Sequence, residues 1–339
     1  MNILHFGGNF LVNALRAQGH HVVSVGLSQS SDIPLRHPVA WIRLEATLAA
    51  QGFTPDCALW VDDGNLPAVL GLEALPCPSV FYSIDTFCNP WHVPFAQSFD
   101  QAVAAQKAHV ELFPSLAENP VWLPLFAPDD LQSGPADERD IPVAFVGTLK
   151  PHNIPQRYPF LEAFRRLHPL FFKQGAYAPV FSRAKIVLNQ TAAMEVNFRC
   201  FESMACGAAL LTESSRQHGL EELFTPGEHI LQPYAPNDAA QAAALAAHWL
   251  VEPEALRAVA EAGCARVRER HLASHRAAFI TELMNALIAN RAQAARLEHL
   301  EHRRRLLSTA YAILMSELQS EALKEHQSLY QTLFAELRL

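Results

Sequence analysis

The sequence predicts an α/β protein of two doubly wound, Rossmann-like domains with a helical extension. Three observations predict it. Short apolar strands alternate with helical stretches over residues 1–126 and again over 141–273, the pattern of parallel sheets joined by right-handed crossovers. Between them the stretch APDDLQSGPADER, within 127–140, is polar and carries Pro and Gly, as a linker does. Residues 274–339 lack both Gly and Pro and are rich in Ala, Leu, Glu, Gln and Arg, so helix is favoured throughout.

The elements follow in order. Asn2–Phe6 is an apolar strand, Gly7-Gly8-Asn9 a tight turn, Phe10–Gln18 a helix and His21–Val25 a second strand. The turn lacks the full G-x-G-x-x-G spacing, so a dinucleotide fingerprint is not supported. Its glycines let backbone approach a substrate, or simply close a turn. Ala58–Val61 is a strand ending at Asp62-Asp63-Gly64, and Leu66–Ala74 a short helix interrupted by Pro67 and Gly71. Ser79–Ile84 is a strand ending at Asp85, followed by a loop with Asn89, Trp91 and His92. Gln101–Gln106 and Val121–Leu125 complete the strands, with a helix at Ala108–Leu116 between them. Ligands of such sheets sit beyond the carboxyl ends of the strands. Asp62, Asp63, Asp85 and His92 all lie there.

The second alternation gives strands at Pro142–Val146, Leu170–Lys173, Lys185–Asn189, Ala208–Thr212 and His229–Gln232. Helices are expected at Pro155–Leu167, Tyr177–Arg183, Asp238–Leu250 and Glu254–Arg270. In the tail, Leu306, Ala310, Ile313, Leu314 and Leu318 keep a 3-4 spacing, as do Leu329, Leu333 and Leu337. That apolar seam must be buried, against the first domain or in a homodimer through residues 290–339.

Composition excludes several classes. A net charge of −8 argues against nucleic acid or an anionic membrane as the main partner. No run reaches the roughly 18 apolar residues of a membrane span, and the N-terminus lacks the basic start of a signal peptide. The cysteines at 57, 77, 88, 200, 206 and 264 form no C-x-x-C and are read as free thiols of a reducing compartment. A cytoplasmic location is expected. His271 and His275 are four apart, but with no third ligand near them they read as solvated residues. No metal is expected.

The stretch around which the chain is organised is Glu195–Glu213, EVNFRCFESMACGAALLTE. Asn197 caps a helix whose apolar side is Phe198, Phe201, Met204 and Ala205, and Gly207 ends it before a buried strand. Asn197, Arg199 and Glu202 cluster near the helix start, which suits a phosphate. The plainer reading is an amphipathic helix with Arg199 and Glu202 as a surface pair.

The run N-x-R-x-F-E-x-M-A-C-G before an apolar strand resembles the donor-binding helix of group 1 glycosyltransferases of the two-domain GT-B fold. It is most similar to their spore-maturation (CgeB-like) branch. The order F-V-G-T-L, K-I-V-L-N, N-F-R-C-F-E and P-G-E-H-I-L extends the likeness over roughly 140–270. The resemblance implies two domains facing a cleft, a nucleotide-diphosphate sugar as donor substrate, no bound metal or other cofactor, and a hydroxyl acceptor on a protein such as flagellin or on an envelope glycan. It assigns the ribose to Glu202. It does not carry over to Glu195, because the spacing here is E-x6-E where the superfamily often has E-x7-E.

Transfer of a glycosyl group leaves negative charge on a nucleoside diphosphate. Gly147, Lys150, Arg199 and the helix start at Asn197 are the candidates to stabilise it, with Asn189 lining the same wall. Gly7, Gly8 and Asn9 form the acceptor-side loop. For a general base, Asp85 is the first candidate, His92 the second and Asp63 the third. Against these stand a loop-capping Asp85 and a packed, structural His92. Two other readings are a catalytically inactive scaffold acting through its helical tail and a sugar-nucleotide epimerase.

Overall fold

The computed structural model describes residues 1–134, 138–149, 154–317 and 324–336. The chain forms two compact units, Met1–Leu123 with Arg276–Leu339, and Pro124–His275.

The first unit holds strands β1 (Asn2–Gly7), β2 (His21–Gly26), β3 (Ile33–Pro34), β4 (Val39–Ala40), β5 (Cys57–Val61), β6 (Val69–Leu70), β7 (Ser79–Ser83), β8 (Gln101–Ala104) and β9 (Val121–Trp122). Seven of them form one sheet in the order β3-β2-β1-β5-β7-β8-β9, and all its pairings are parallel. The order reverses between β1 and β5, so the crevice expected for a ligand opens past Gly7 and Val61. Central strands β5, β7 and β8 are buried at every position, as parallel strands covered on both faces should be.

Three stretches differ from the sequence reading. Leu66–Ala74 is no helix: β6 pairs with β4, and a single 3-10 turn follows Gly71 at φ 82°. Proline has no N–H to give a helix, and a left-handed glycine ends one. Lys107–Leu112 is a 3-10 helix that stops where Phe113 turns extended (ψ 141°), as the residue before Pro114 is biased to do. An unexpected helix spans Trp41–Ala50, burying Trp41, Leu44 and Leu48.

The tail is not a separate appendage. Its helices Leu300–Glu317 and Lys324–Glu336 place Leu307, Ala310, Leu314, Tyr330 and Leu333 in one core with Trp60, Phe81, Trp91 and Phe95. Of the seam residues, Ala310, Ile313, Leu314 and Leu333 face this unit's own core, whereas Leu306 is exposed; Leu318 and Leu337 lie outside the described residues. A buried ion pair pins the tail. Arg296 Nε donates to Asp100 Oδ1 at 2.9 Å and its Nη atoms to the carbonyls of Glu73 and Cys77 at 2.6 and 2.8 Å. Both charged side chains are fully buried.

The second unit holds β10 (Ile141–Val146), β11 (Phe171–Lys173), β12 (Ala184–Asn189) and β13 (Ala209–Thr212), parallel in the order β11-β10-β12-β13. Here the order reverses between β10 and β12. The strand expected at His229–Gln232 is absent; a turn through Gly227 leaves only a Pro226–Ile230 bridge. The helices Ala239–Leu250 and Pro253–Arg270 cover the sheet, Asp238 capping the first through its carboxylate and Gln241 N–H at 2.9 Å.

Candidate functional site

The helix Phe198–Ala205 begins past the carboxyl ends of β10 and β12. Asn197 stands at its N-cap, but its side chain does not accept from the helix amides. Instead Asn197 Nδ2 donates to Asn189 Oδ1 at 3.2 Å. Arg199 reaches across the reversal point of the sheet. Its Nε donates to Val146 O at 3.0 Å, at the end of β10, and Nη1 to Asn189 Oδ1 at 2.6 Å, at the end of β12. The guanidinium lies 4.4 Å over the Phe145 ring, a cation–π contact that holds its plane. Nη2 has no acceptor among the described residues and faces Gly147. A Cβ at Gly147 would stand 2.3 Å from that nitrogen, so glycine there makes room for the guanidinium. Burial lowers the Arg199 pKa, with Glu202 opposing.

Gly147 is not a free N–H donor: its amide bonds Lys173 O at 3.1 Å, in the β10–β11 ladder. Its part in the site is space, a correction to the sequence reading. Asn189 is also corrected. It is fully buried, donates to Thr212 Oγ1 at 3.0 Å, accepts from Arg199 and Asn197, and its carbonyl accepts from Tyr234 Oη at 2.6 Å. It positions Arg199 and does not line an open wall. Lys150 lies outside the described residues.

Glu202 sits one turn beyond Arg199, half-buried. Burial raises its pKa, while a hydrogen bond from the Tyr177 hydroxyl and the Arg199 charge work against that rise. Glu195 is buried and already occupied. Its carboxylate accepts from the N–H groups of Ala192 at 2.9 Å and Ala193 at 2.7 Å, closing a loop in which Met194 adopts φ 61°.

Sequence reasoning missed the frame beneath these residues. Arg157, buried and depressed to about 10 by that burial, donates from Nε to Gln190 Oε1 at 2.8 Å. Gln190 Nε2 donates to Asn237 Oδ1 at 3.1 Å, and the Asn237 and Thr191 amides donate to Glu213 at 2.8 and 3.0 Å. The links join the start of the helix Arg157–Leu167 to the loops after β12 and β13, so charge and hydrogen bonds fix the site floor. Glu213 had a legible signal, a carboxylate directly after a buried strand; Arg157 and Tyr177 had none.

In the first unit the carboxyl ends are arranged differently. Gly7, at φ 78°, runs so close to Val61 that a Cβ would stand 2.1 Å from Val61 O; only glycine fits. Gly8 N–H donates to that carbonyl at 2.9 Å, and Asn9 Nδ2 to Ser30 Oγ at 3.2 Å. Asp62 is buried and accepts from the amides of Gly64, Ile84 and Asp85 at 2.8, 3.1 and 2.7 Å. Asp63 is exposed and accepts from Asn65 N–H at 3.0 Å. Asp85 is half-buried at the end of β7, its backbone carbonyl taken by Cys88 and Asn89 amides at 3.0 and 3.1 Å.

His92 is ruled out as a solvent-facing base. It has no exposure, bonds Ser83 Oγ through Nδ1 at 2.8 Å, and packs edge-on against Trp60, Phe81 and Trp91. Burial pulls its pKa down to about 4, against the pull of Asp62. His271 is not the solvated residue expected: it is buried and packs between Phe201 and Phe224, and His275 Nδ1 accepts from Leu272 N–H at 3.1 Å. Among the described residues no group of three or more His, Cys, Asp or Glu is placed to hold a metal ion. No described helix is long and apolar enough to cross a membrane.

Two parallel-sheet units, the second with a polar site where its strand order reverses, give the chain the fold of the GT-B glycosyltransferases. Residues 134–282 match a family model described as glycosyl transferase-like. Among solved structures the chain is similar to Anabaena HepE, crystallised with UDP and glucose, at 13% identity and a TM-score of 0.62, covering 85% of this chain and 100% of that one. It is similar to sucrose-phosphate synthase from Thermosynechococcus elongatus, at 13% identity and a TM-score of 0.63, covering 86% and 100%. A glycosyltransferase from Rickettsia africae matches at 10% identity and a TM-score of 0.62, covering 85% and 99%. Comparison with curated proteins finds no match in sequence.

Proposed function

We propose that this protein transfers a hexosyl group from a nucleoside-diphosphate sugar to a hydroxyl acceptor, without a metal. The observation that carries the reading is Arg199. Its guanidinium is locked by Val146 O, Asn189 and the Phe145 ring at the reversal point of the second sheet, with one nitrogen, Nη2, left without an acceptor among the described residues. A fixed cation of this kind stabilises the charge that grows on a departing diphosphate, and it needs no rearrangement as the bond breaks. Glu202, oriented by Tyr177, accepts the hydroxyls of the nucleotide's ribose. Lys150 is kept as a further cation of the site, and Asp85 as the base that takes the acceptor's proton, with Asp63 behind it. UDP in complex with the similar HepE supports a uridine nucleotide as the first donor to try.

The finer parts of the reading are a place in the spore-maturation branch, resting on the run N-F-R-C-F-E-S-M-A-C-G, and an acceptor that is a protein such as flagellin or an envelope glycan. A cytoplasmic location goes with them and is supported by six free cysteines.

Thermal unfolding with a panel of nucleoside diphosphates tests the reading. A ligand held only by the native state raises the midpoint by mass action. A rise with one nucleotide that disappears in Arg199→Gln is expected; a flat response to all of them would favour an inactive scaffold. Mass spectrometry of the products then identifies donor sugar and acceptor.

A further inference from the structure

Arg157 opens the helix Arg157–Leu167, the first helix after β10. It is buried, and its guanidinium reaches two loops at once. Nη1 donates to Thr148 O at 3.2 Å, in the loop after β10. Nε donates to Gln190 Oε1 at 2.8 Å and Nη2 to Gln190 O at 3.4 Å, in the loop after β12.

Each of these contacts lies beside one made by Arg199. Thr148 follows Gly147, where a Cβ would stand 2.3 Å from Arg199 Nη2. Gln190 follows Asn189, whose Oδ1 takes Arg199 Nη1 at 2.6 Å. The Phe145 ring meets both cations, the Arg199 guanidinium 4.4 Å and the Arg157 guanidinium 5.9 Å from its centroid. Arg157 therefore braces the slot that holds Arg199 on each of its sides. Burial, and after it the Arg199 charge, bring the Arg157 pKa down to about 10, with Glu195, Glu213 and Tyr234 opposing. The plainer alternative is a residue that only ties two loops together. A tie explains the hydrogen bonds. It leaves unexplained a cation at the first position of a helix, where the dipole disfavours one, and a set of contacts that shadows Arg199 throughout.

We infer that Arg157 is a positioning residue for the donor's diphosphate, acting through Arg199 by holding its Nη2 toward the ligand. The inference rests on the donor-site reading given above and adds to it a second, indirect arginine. The fork is what matters. Only a planar guanidinium serves acceptors on both loops together, and a lysine would carry the charge without that reach. Glu202 and the ribose lie outside its grip, so Arg157 governs affinity for the diphosphate and leaves the nucleoside alone.

The test is a double-mutant cycle on the full chain, read by calorimetry. The probes are the nucleoside diphosphates of uracil, guanine, adenine, cytosine and thymine and, for the one that binds, its nucleoside alone. Arg157→Met and Arg157→Lys should each weaken the diphosphate by about tenfold and leave the nucleoside within about twofold. In the Arg199→Gln background the same changes should weaken it by less than about twofold, because the residue they act through is gone. Thermal midpoints of all variants separate loss of fold from loss of binding. If Arg157→Met does not fold, Gln190→Met removes the acceptor of its Nε from the opposite side and should give the same pattern at about threefold. Equal losses of diphosphate and nucleoside, undiminished losses in the Arg199→Gln background, or Arg157→Lys binding as the parent does would each overturn the inference. A parent chain that binds none of the diphosphates would instead sink the donor reading, and this inference with it.

Discussion

The carboxyl ends of the two sheets make a useful contrast. Both units are parallel, both reverse strand order once, and both place polar residues past the reversal. In the second unit the group held there is a cation: Arg199, stacked on Phe145 and bonded to both flanking strands. In the first unit the polar groups are carboxylates, and the most buried of them, Asp62, is taken up by three loop amides. The same topology therefore supports opposite electrostatics. The difference lies in what the loops do with their own N–H groups. A loop that satisfies its amides with a carboxylate, as at Asp62 and Glu195, withdraws that carboxylate from chemistry. A loop that satisfies its carbonyls with an arginine keeps a net positive charge in place.

Four measurements sharpen or break this contrast. The largest effect is expected far from either site. Arg296→Ala leaves Asp100 buried without its cation, and loss of one partner of a buried pair costs about 3–5 kcal/mol. Urea unfolding should show the midpoint fall accordingly; a change under about 1 kcal/mol would mean the tail is not integral to the first unit. Next comes Arg199→Gln, expected to reduce turnover by about 10²–10³, the scale of removing one charge-stabilising donor. Turnover within about threefold of the parent would separate the second unit's cation from catalysis.

The third is acid sensitivity of the first unit. His92 has a folded pKa of about 4 against an ordinary 6.5, so the unfolded chain binds the proton more readily. Stability from keeping it neutral is complete above 6.5 and is lost as pH falls toward 4. From this depression alone the loss is about 3 kcal/mol. His5, lowered to about 3 by burial, acts in the same direction. Guanidinium unfolding at pH 7.5 and pH 5 checks it, and His92→Gln should flatten the slope. The smallest effect is Glu202→Ala, about 1–3 kcal/mol of nucleotide affinity for one charged hydrogen bond. Calorimetry with unchanged affinity would take Glu202 out of the site.

Much of the fold was legible because parallel strands buried on both faces read as short apolar runs. Cys57–Val61, Ser79–Ser83 and Ala209–Thr212 stand out for that reason. The helix Trp41–Ala50 was passed over, although Trp41, Leu44 and Leu48 keep helical spacing. Arg199 and Glu202 were visible through their spacing on one helix. Their supports were not: Tyr177, Arg157 and Glu213 come from separate segments, and no local pattern marks a residue that meets its partner only after folding. His92 shows the reverse. Its position after a strand end suggested chemistry, and only packing revealed a histidine enclosed by aromatic rings.

By itself the sequence determined two alternating α/β halves and the helix that carries Arg199 and Glu202, because periodicity and turn residues act over a few positions. Tertiary structure decided that the tail belongs to the first core and that Asn189 and Gly147 shape the site without entering it. It decided too that Asp62 and Glu195 are taken up by loop amides. Those outcomes depend on partners tens to hundreds of residues away, and on the requirement that a buried charge or amide find one of them.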